Sequence, residues 1–227
     1  MKGTSCFEEA VVKVLKEYVV VEILNYTDLV QRGGYASVNV YCHWRNGTPF
    51  DGGTVYVEGT GVEEELKGGR ASLTWLEDDV GLVLREVSIK GVDRIKSAIL
   101  KILSTGLEVE VKSVRSVGPD EYELLLDIIW IHDGSVLNNG SIYLEGLALS
   151  SEVKDGRARL TFEQSWLRGK EFLEFVVVGS LRGKLFSEHV KVPVKEFGVE
   201  AVNASLTVKG LTVELASEGE ARAIINK

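Results

Sequence analysis

The chain has 227 residues, enough for one large domain or two small ones. Hydrophobic residues make up 44% and charged residues 26%, a balance that supports a folded core and excludes disorder over most of the chain. The 34 acidic and 26 basic residues give a net charge of −8, and no basic cluster is longer than two residues, so a nucleic-acid-binding surface is excluded.

Residues that are labile at high temperature are scarce, since the chain has one Met and two Cys beside many Glu, Lys and Arg. That composition favours a thermophilic source, although sampling noise would also produce it. No apolar run approaches the ~20 residues of a membrane span. The most apolar early stretch, residues 11–24, is interrupted by Lys13, Lys16, Glu17 and Glu22, so it matches neither a signal peptide nor an anchor.

The N-terminal segment, residues 1–17, allows two interpretations. Ser5 and Glu8 have the spacing of a capping box, and Phe7, Val11 and Val14 share one helical face. These features predict a short helix that leads into a strand. The Val-rich composition of residues 11–24 is also compatible with one long strand.

An internal repeat organises the rest of the chain. Residues 35–76 align without gaps to residues 122–163 at a constant offset of 87, and 13 of the 42 aligned positions are identical. Identical pairs include Gly47/Gly134, Gly53/Gly140, Tyr56/Tyr143, Glu58/Glu145, Gly59/Gly146, Arg70/Arg157 and Thr74/Thr161. A fixed offset over several turns predicts two copies of one structural unit.

Each copy predicts the same series of strands. The β-branched and aromatic residues at 35–44 and 122–131 indicate a long strand, and short strands follow at 54–58 and 141–145. The remaining predicted strands lie at 18–25, 82–89 and 97–103 in the first copy and at 107–114, 172–178 and 184–192 in the second.

A hairpin in each copy identifies a buried face. Gly68-Gly69 and Asp155-Gly156 fit the two central positions of a type I′ turn. The strand after each turn alternates apolar and polar residues, and the predicted inward residues are Ala71, Leu73 and Trp75 in the first copy and Ala158, Leu160 and Phe162 in the second. About seven short strands in each ~87-residue module predict an all-β fold of two-sheet antiparallel sandwiches.

The run N-G-T-P-F-D-G-G-T-V-Y-V, followed by a hairpin and G-G-R-A-S-L-T-W, resembles the immunoglobulin-like (Ig-like) repeats of bacterial and archaeal cell-surface proteins. Related patterns occur in invasin-type, macroglobulin-type and carboxypeptidase-regulatory-type β-sandwiches. The resemblance implies two tandem Ig-like modules at residues 18–104 and 106–194. Residues 195–227 then add strands, either as a partial third module or as an extension docked on the second.

Four of the seven Asn residues lie in N-x-[ST] sequons: Asn25, Asn46, Asn139 and Asn203. Chance predicts about 0.8 such sites, so the excess indicates glycosylation on a secreted surface. Turn chemistry offers a second explanation for Asn46 and Asn139, because each precedes a Gly.

The two cysteines, Cys6 and Cys42, are an even pair. They permit one disulfide between the N-terminal segment and the first module. The position of Cys42 in a predicted strand is equally compatible with a small buried thiol, and two free thiols are the favoured interpretation.

Motifs for metal binding or catalysis are absent from the sequence. The repeat aligns His43 with Trp130 and His132 with Arg45, and the third histidine, His189, belongs to no metal-binding spacing. The acidic runs 63–65 and 77–79 offer oxygen ligands for Ca²⁺, but solvated loops explain them better. The four Trp residues would suit a sugar-stacking platform if exposed, whereas alternation assigns Trp75, and by extension most of them, to the core.

These features predict a non-catalytic structural or adhesive protein of the cell surface, with no cofactor, no metal, no nucleic-acid partner and no membrane insertion in this segment. It would act as a spacer or assembly module and associate with protein partners or with itself through strand edges. The alternative is a carbohydrate- or protein-binding accessory module of a secreted enzyme or surface complex.

Overall fold

The structure is a computed structural model. It describes residues 17–144, 146 and 149–197, and the backbone of strands at 204–208, 211–215 and 221–225. The chain divides into two compact units, Met1–Thr105 and Gly106–Lys227. The helix predicted near the N-terminus falls in residues 1–16, which lie outside the described residues.

Unit 1 has nine strands in its described residues. Their bounds are β1 (Val19–Tyr26), β2 (Leu29–Gln31), β3 (Gly34–Trp44), β4 (Thr54–Val57), β5 (Glu63–Glu65), β6 (Arg70–Glu77), β7 (Gly81–Ile89), β8 (Ile95–Lys96) and β9 (Ala98–Thr105). They form two sheets with the strand orders β6-β3-β1-β8 and β2-β9-β7-β4-β5. The fully buried side chains between the sheets include Val19, Ala36, Val38, Val40, Cys42, Val55, Val87, Leu100 and Ile102.

The chain crosses from one sheet of unit 1 to the other between β1 and β2. β1 pairs antiparallel with β3 as far as Tyr26, and β2 then pairs parallel with β9 from Leu29. Thr27 anchors the crossing, because its backbone N–H donates to the Ser37 carbonyl at 2.9 Å. The short strand β8 adds a second parallel pairing, with the start of β1.

Unit 2 has seven strands over residues 107–193. Their bounds are β10 (Leu107–Gly118), β11 (Glu121–Trp130), β12 (Gly140–Leu144), β13 (Ser150–Val153), β14 (Arg157–Glu163), β15 (Phe172–Leu181) and β16 (Lys184–Pro193). Their sheets have the orders β10-β11-β14 and β13-β12-β15-β16. Two 3-10 turns, at Gln164–Leu167 and Val194–Phe197, follow β14 and β16.

Three further strands follow the sandwich of unit 2. They are β17 (Ala204–Val208), β18 (Leu211–Leu215) and β19 (Ala221–Ile225), and they pair antiparallel in that order. They lie in the segment where the sequence predicts additional strands.

The predicted all-β class is confirmed, because the described residues form sheets that are antiparallel apart from the pairs β1–β8 and β2–β9, and they contain no α-helix. The predicted inward face after each hairpin is also confirmed. Ala71, Leu73 and Trp75 are buried in β6, and Ala158, Leu160 and Phe162 are buried in β14. The pairings β1–β3, β3–β6, β4–β7 and β7–β9 recur in unit 2 as β10–β11, β11–β14, β12–β15 and β15–β16.

The ungapped alignment is wrong in one strand. Cys42 donates its N–H to the Gly69 carbonyl, and Ile128 makes the same bond to Gly156, so these strands correspond at an offset of 86 rather than 87. Trp130 is therefore the counterpart of Trp44, not of His43. The turn after Trp130 contains one more residue than the turn after Trp44, because Trp44 N–H donates to Thr48 and Trp130 N–H donates to Ser135.

Candidate functional surfaces

The sequon at Asn46 lies in an exposed turn between β3 and β4. The Asn46 Oδ1 accepts the Thr48 backbone N–H at 2.9 Å, and Gly47 N–H donates to the Trp44 carbonyl at 2.8 Å. Asn46, Gly47 and Thr48 are all exposed. Gly47 has a φ of +88° and no atom within 4 Å of the position of a Cβ, so the turn stands clear of the sandwich.

The sequon at Asn25 lies within the β1–β3 ladder. The Asn39 Nδ2 donates to Asn25 Oδ1 at 2.6 Å, and Ser72 Oγ donates to Asn39 Oδ1, so three strands are linked across this face. The Thr27 hydroxyl lies 3.2 Å from the Ser37 hydroxyl and accepts the Ser37 N–H at 3.1 Å. Both functional side chains of this sequon are thus held by neighbouring strands.

The sequon at Asn139 leads directly into β12. Asn139 is exposed, but Gly140 and Ser141 pair with both β13 and β15. A Cβ at Gly140 would lie 2.6 Å from the Val178 carbonyl oxygen, which shows how tightly the strand start is packed. Asn203 lies outside the described residues.

Cys42 is fully buried in the core of unit 1. Burial raises the pKa of its thiol to about 11, so the thiol is protonated and unreactive at neutral pH. Cys42 is free among the described residues. Cys6 lies outside them, so the Cys6–Cys42 disulfide stays a prediction.

A buried charged cluster lies at the end of β6. Glu77 is fully buried and accepts hydrogen bonds from Trp75 Nε1 at 3.0 Å and from Arg85 Nη2 at 2.6 Å. Arg85 Nη2 also donates to Asp79 Oδ2 at 2.6 Å. The expectation that residues 77–79 form a solvated acidic loop is therefore wrong for Glu77, because it extends the inward alternation of Ala71, Leu73 and Trp75 by one step.

Electrostatics keep this cluster ionised. Burial by itself raises the pKa of Glu77, but hydrogen bonds from Arg85 and Trp75 outweigh burial, so the pKa lies below its usual value. Hydrogen bonds to Glu77 and Asp79 raise the pKa of Arg85. Because a guanidinium already occupies Glu77 and Asp79, these carboxylates do not present a free cation site.

The other acidic run forms strand β5. Glu63, Glu64 and Glu65 are all exposed, and β5 is the outer strand of its sheet. Lys90 Nζ pairs with Glu63. Over the described part of the chain, no group of three or more His, Cys, Asp or Glu is placed to hold a metal ion.

The histidines and tryptophans do not converge on one site. His43 Nε2 lies 3.7 Å from Glu22, and His132 Nε2 lies 3.3 Å from Asp133, each within its own unit. Trp75 and Trp130 are buried, and Trp44 packs partly buried against the core. Trp166 is half-buried beneath the Lys170 ammonium, which lies 5.8 Å from the ring centroid.

A groove in unit 2 was missed by the sequence analysis. It has a volume of about 910 Å³ and lies between the turn that precedes β15 and the end of β16. Its lining includes the apolar residues Leu167, Phe172 and Val194 and the basic residues Arg168 and Lys195. These residues come from two separate segments of the chain, so no local sequence motif indicates the groove.

The chain enters and leaves each unit at opposite ends. In unit 1 the first strand starts at Val19, and the last strand ends at Thr105, which pairs with Gln31. Val19 and Gln31 are 12 residues apart along a chain that bends at Asp28, so they are separated by at most roughly 40 Å.

Unit 2 has the same polarity. It begins at Leu107, which pairs with Trp130, and the Trp130 ring contacts Phe186 near the start of β16 with centroids 5.4 Å apart. At the other end, Phe197 packs on Tyr122 and Phe162, with centroid distances of 6.1 and 5.6 Å. Tyr122 pairs with the far end of β10, so Phe197 leaves the sandwich at the end opposite to Leu107.

Among the described residues, no helix has the length and apolar character needed to cross a bilayer.

No protein-family model matches the sequence, and no curated protein matches it. Among solved structures, the chain is similar to the adhesin InvE of Yersinia pseudotuberculosis, at 13% identity over 87% of this chain and 66% of that chain, with a TM-score of 0.30. Domains 5-6 of the S-layer protein SbsC match at 12% identity over 76% of this chain and 96% of that chain, with a TM-score of 0.27. A tandem from titin matches at 11% identity over 76% of this chain and 65% of that chain, with a TM-score of 0.34. This chain thus spans just under two thirds of the InvE structure.

Proposed function

We propose that this protein is a non-catalytic, load-bearing spacer of the cell surface, and that its modules at 18–104 and 106–194 are two copies of one Ig-like repeat. The observation that carries the proposal is the polarity of the units, since the chain enters each sandwich at one end and leaves it at the other. Such units extend a chain when joined in series. The strands in residues 195–227 are then the start of a further module or an edge for self-association.

Unit 1 is built to resist tension between its ends. Its second strand, β2, and its last strand, β9, form a parallel pair, in which Leu103 N–H donates to the Asp28 carbonyl at 2.8 Å and Arg32 N–H donates to the Thr105 carbonyl at 2.7 Å. A pull on the two ends moves these strands in opposite directions along their own axes. The bonds are loaded together in shear, which is harder than opening them one at a time.

Unit 2 is the reference, within the same chain, for the unfolding force of unit 1. In its described residues, no parallel pair joins the first strand β10 to the last strand β16. The proposal therefore predicts that unit 1 unfolds at a higher force than unit 2. An accessory binding module, the alternative function, would use a feature such as the groove and would have no need for this difference.

The test is to stretch the full chain by optical tweezers between terminal handles. Two unfolding events at different forces are expected. Arg32→Pro deletes the N–H that bonds Thr105, at an exposed turn position that follows an extended residue, and should lower the force of the stronger event. Arg32→Ala keeps the N–H and serves as the matched control. Equal forces for the two units, or no effect of the proline, would contradict a load-bearing role.

A further inference from the structure

We propose that Asn46 is the N-glycosylation site among the three sequons that the structure describes, and that the turn around it sets it apart from Asn25 and Asn139. This proposal goes beyond the spacer function and does not depend on whether the protein bears mechanical load. Attachment of an oligosaccharide requires that the Asn side-chain nitrogen and the hydroxyl two residues later are both reachable from solvent. It also requires a backbone segment that can fit an enzyme groove without dismantling a sheet.

Asn46 meets both requirements. The carbonyl oxygen of its side chain is occupied by the Thr48 N–H, so Nδ2 is the end of the amide that is left for reaction. Asn46 and Thr48 are exposed, and Gly47 between them has open space around it. The three residues lie between strands rather than within one.

The reaction consumes a sugar donor from outside the protein. The donor class is an oligosaccharide joined through its anomeric carbon to a polyprenyl pyrophosphate. A bond forms between Asn46 Nδ2 and the anomeric carbon, the bond from that carbon to the phosphate oxygen breaks, and the amide nitrogen loses one proton. The lipid pyrophosphate leaves, and no oxidant or reductant is consumed.

Asn25 has an exposed side chain, but its sequon fails the test of reachability at the hydroxyl. Asn39 donates to Asn25 Oδ1, which leaves Nδ2 as at Asn46, whereas the Thr27 hydroxyl lies 3.2 Å from the Ser37 hydroxyl and accepts the Ser37 N–H. Asn25 and Tyr26 pair with β3, and the Thr27 N–H donates to the Ser37 carbonyl, so lifting this sequon into an enzyme groove would break its bonds to β3.

Asn139 fails the test of backbone freedom. Its side chain is exposed, but the next two residues pair with β13 on one side and β15 on the other. Gly140 packs against Val178 and Leu137 so closely that even a methyl group has no room. The sequence contains the sequon, but two of its three residues, Gly140 and Ser141, are paired within a sheet.

Unit 2 contains a matched turn without an acceptor amide. Asp133 Oδ1 accepts the Ser135 N–H at 3.0 Å and the Ser135 hydroxyl at 2.7 Å, in the same place after β11 that Asn46 occupies after β3. Asp133, Gly134 and Ser135 are exposed. Asp133→Asn therefore turns this exposed loop into an N-G-S sequon in which the N–H of residue 135 donates to the side-chain oxygen of residue 133, as the Thr48 N–H does to Asn46.

The experiment treats the folded full chain with a purified oligosaccharyltransferase and its lipid-linked oligosaccharide, and counts glycans by intact mass and peptide mapping. All variants carry Asn203→Gln, so that the sequon outside the described residues does not contribute. We expect one glycan at Asn46, none in Thr48→Ala, and two in Asp133→Asn. A synthetic peptide of residues 42–50 shows that enzyme and donor are active, and urea-denatured protein shows that Asn25 and Asn139 are acceptors once unfolded.

Each result decides the proposal. Modification of the peptide but not of folded Asn46 overturns it, and so does modification of folded Asn25 or Asn139 in preference to Asn46. A single glycan in Asp133→Asn contradicts the role assigned to the turn geometry. Because the reaction is carried out on purified protein, its failure leaves the mechanical test of the spacer function unaffected.

Discussion

The two units fill equivalent places near the ends of their sandwiches with different chemistry. In unit 1 the place holds Trp75, Glu77 and Arg85, joined by hydrogen bonds. In unit 2 the aromatic rings of Tyr122, Phe162 and Phe197 pack together. The strand framework thus accepts either an ionic or an aromatic interior at this end.

One substitution explains much of the difference. Val57 pairs with Val87 in unit 1, and Leu144 pairs with Phe175 in unit 2. Arg85 lies two residues before Val87, and the buried Leu173 lies two residues before Phe175, so Arg85 and Leu173 occupy corresponding positions. A buried carboxylate is stable only when its charge and lone pairs are matched, and Leu173 cannot provide that match. Gln164, a neutral residue, stands where the repeat offset would place a counterpart of Glu77.

Replacing the aromatic residue at each of these ends should cause the largest loss of stability. Trp75→Ala and Phe162→Ala should each lower the free energy of unfolding of their own unit by about 3–5 kcal/mol. We expect Trp75→Ala to be the costlier of the two, because it also removes a donor to Glu77. Native-state hydrogen exchange, which resolves the two units, is the measurement.

The exposed Glu64 provides the control for these deletions, and Glu64→Ala should change stability by less than about 0.5 kcal/mol. If all three variants behaved alike, the assignment of the inward face would be wrong.

Glu77→Gln should destabilise unit 1 by about 3 kcal/mol at pH 7, because it keeps the shape of the side chain but leaves the Arg85 charge with Asp79 alone. Glu63→Gln, at an exposed ion pair, is the matched control and should have little effect. Urea unfolding of both variants gives the numbers. A loss no larger than the control would mean that the buried ion pair contributes no net stability.

The effect of Glu77→Gln should depend on pH in one direction. The pKa of Glu77 is lower in the folded protein than in the unfolded chain, so its contribution is complete above the unfolded value of about 4.3 and is lost as the pH falls through the folded value. The difference between wild type and variant should therefore be constant from pH 7 to pH 5 and shrink towards pH 3. A difference that grew on acidification would contradict the ionised state assigned to Glu77.

The hairpin before β6 and β14 should give the smallest and most local effects. Its first turn position is Gly68 in unit 1 and Asp155 in unit 2, which has a φ of +51°, so Gly68→Asn should cost less than about 1 kcal/mol. A Cβ at Gly69 would lie 2.7 Å from the Cys42 carbonyl oxygen, so Gly69→Asn should cost about 2 kcal/mol or more. Thermal unfolding of the pair tests this order, which would be reversed if the turn had another type.

Local pattern was sufficient to predict the hairpins and the strands on either side of them. Strand β6 alternates strictly, and Ala71, Leu73 and Trp75 are buried as expected. Strand β11 is different, because residues 124–126 and 128–131 are all apolar and no alternation marks the inward side. The constant offset of 87 therefore matched each residue of β11 to the wrong residue of β3. The hydrogen bonds to the neighbouring hairpin give the offset of 86.

The functional features needed information that no local pattern contains. The alternation of β6 continues to Glu77, but the partner that makes its burial tolerable is Arg85, on a strand of the other sheet. All the sequons were recognised from three residues each. Which of them is reachable depends on the bonds between Thr27 and Ser37 and on the double pairing after Asn139, and both are products of tertiary structure.

The three exposed glutamates of β5 also bear on how a chain of similar modules folds. Neighbouring copies emerge one after another at high local concentration, and an unprotected outer strand in one copy is a template for the wrong strand of the next. A run of like charge opposes a second strand of the same kind, because equal charges would then face each other across the new pair. In the tandem array that we propose, these charges oppose the pairing of β5 with another strand of the same charge before the modules have folded.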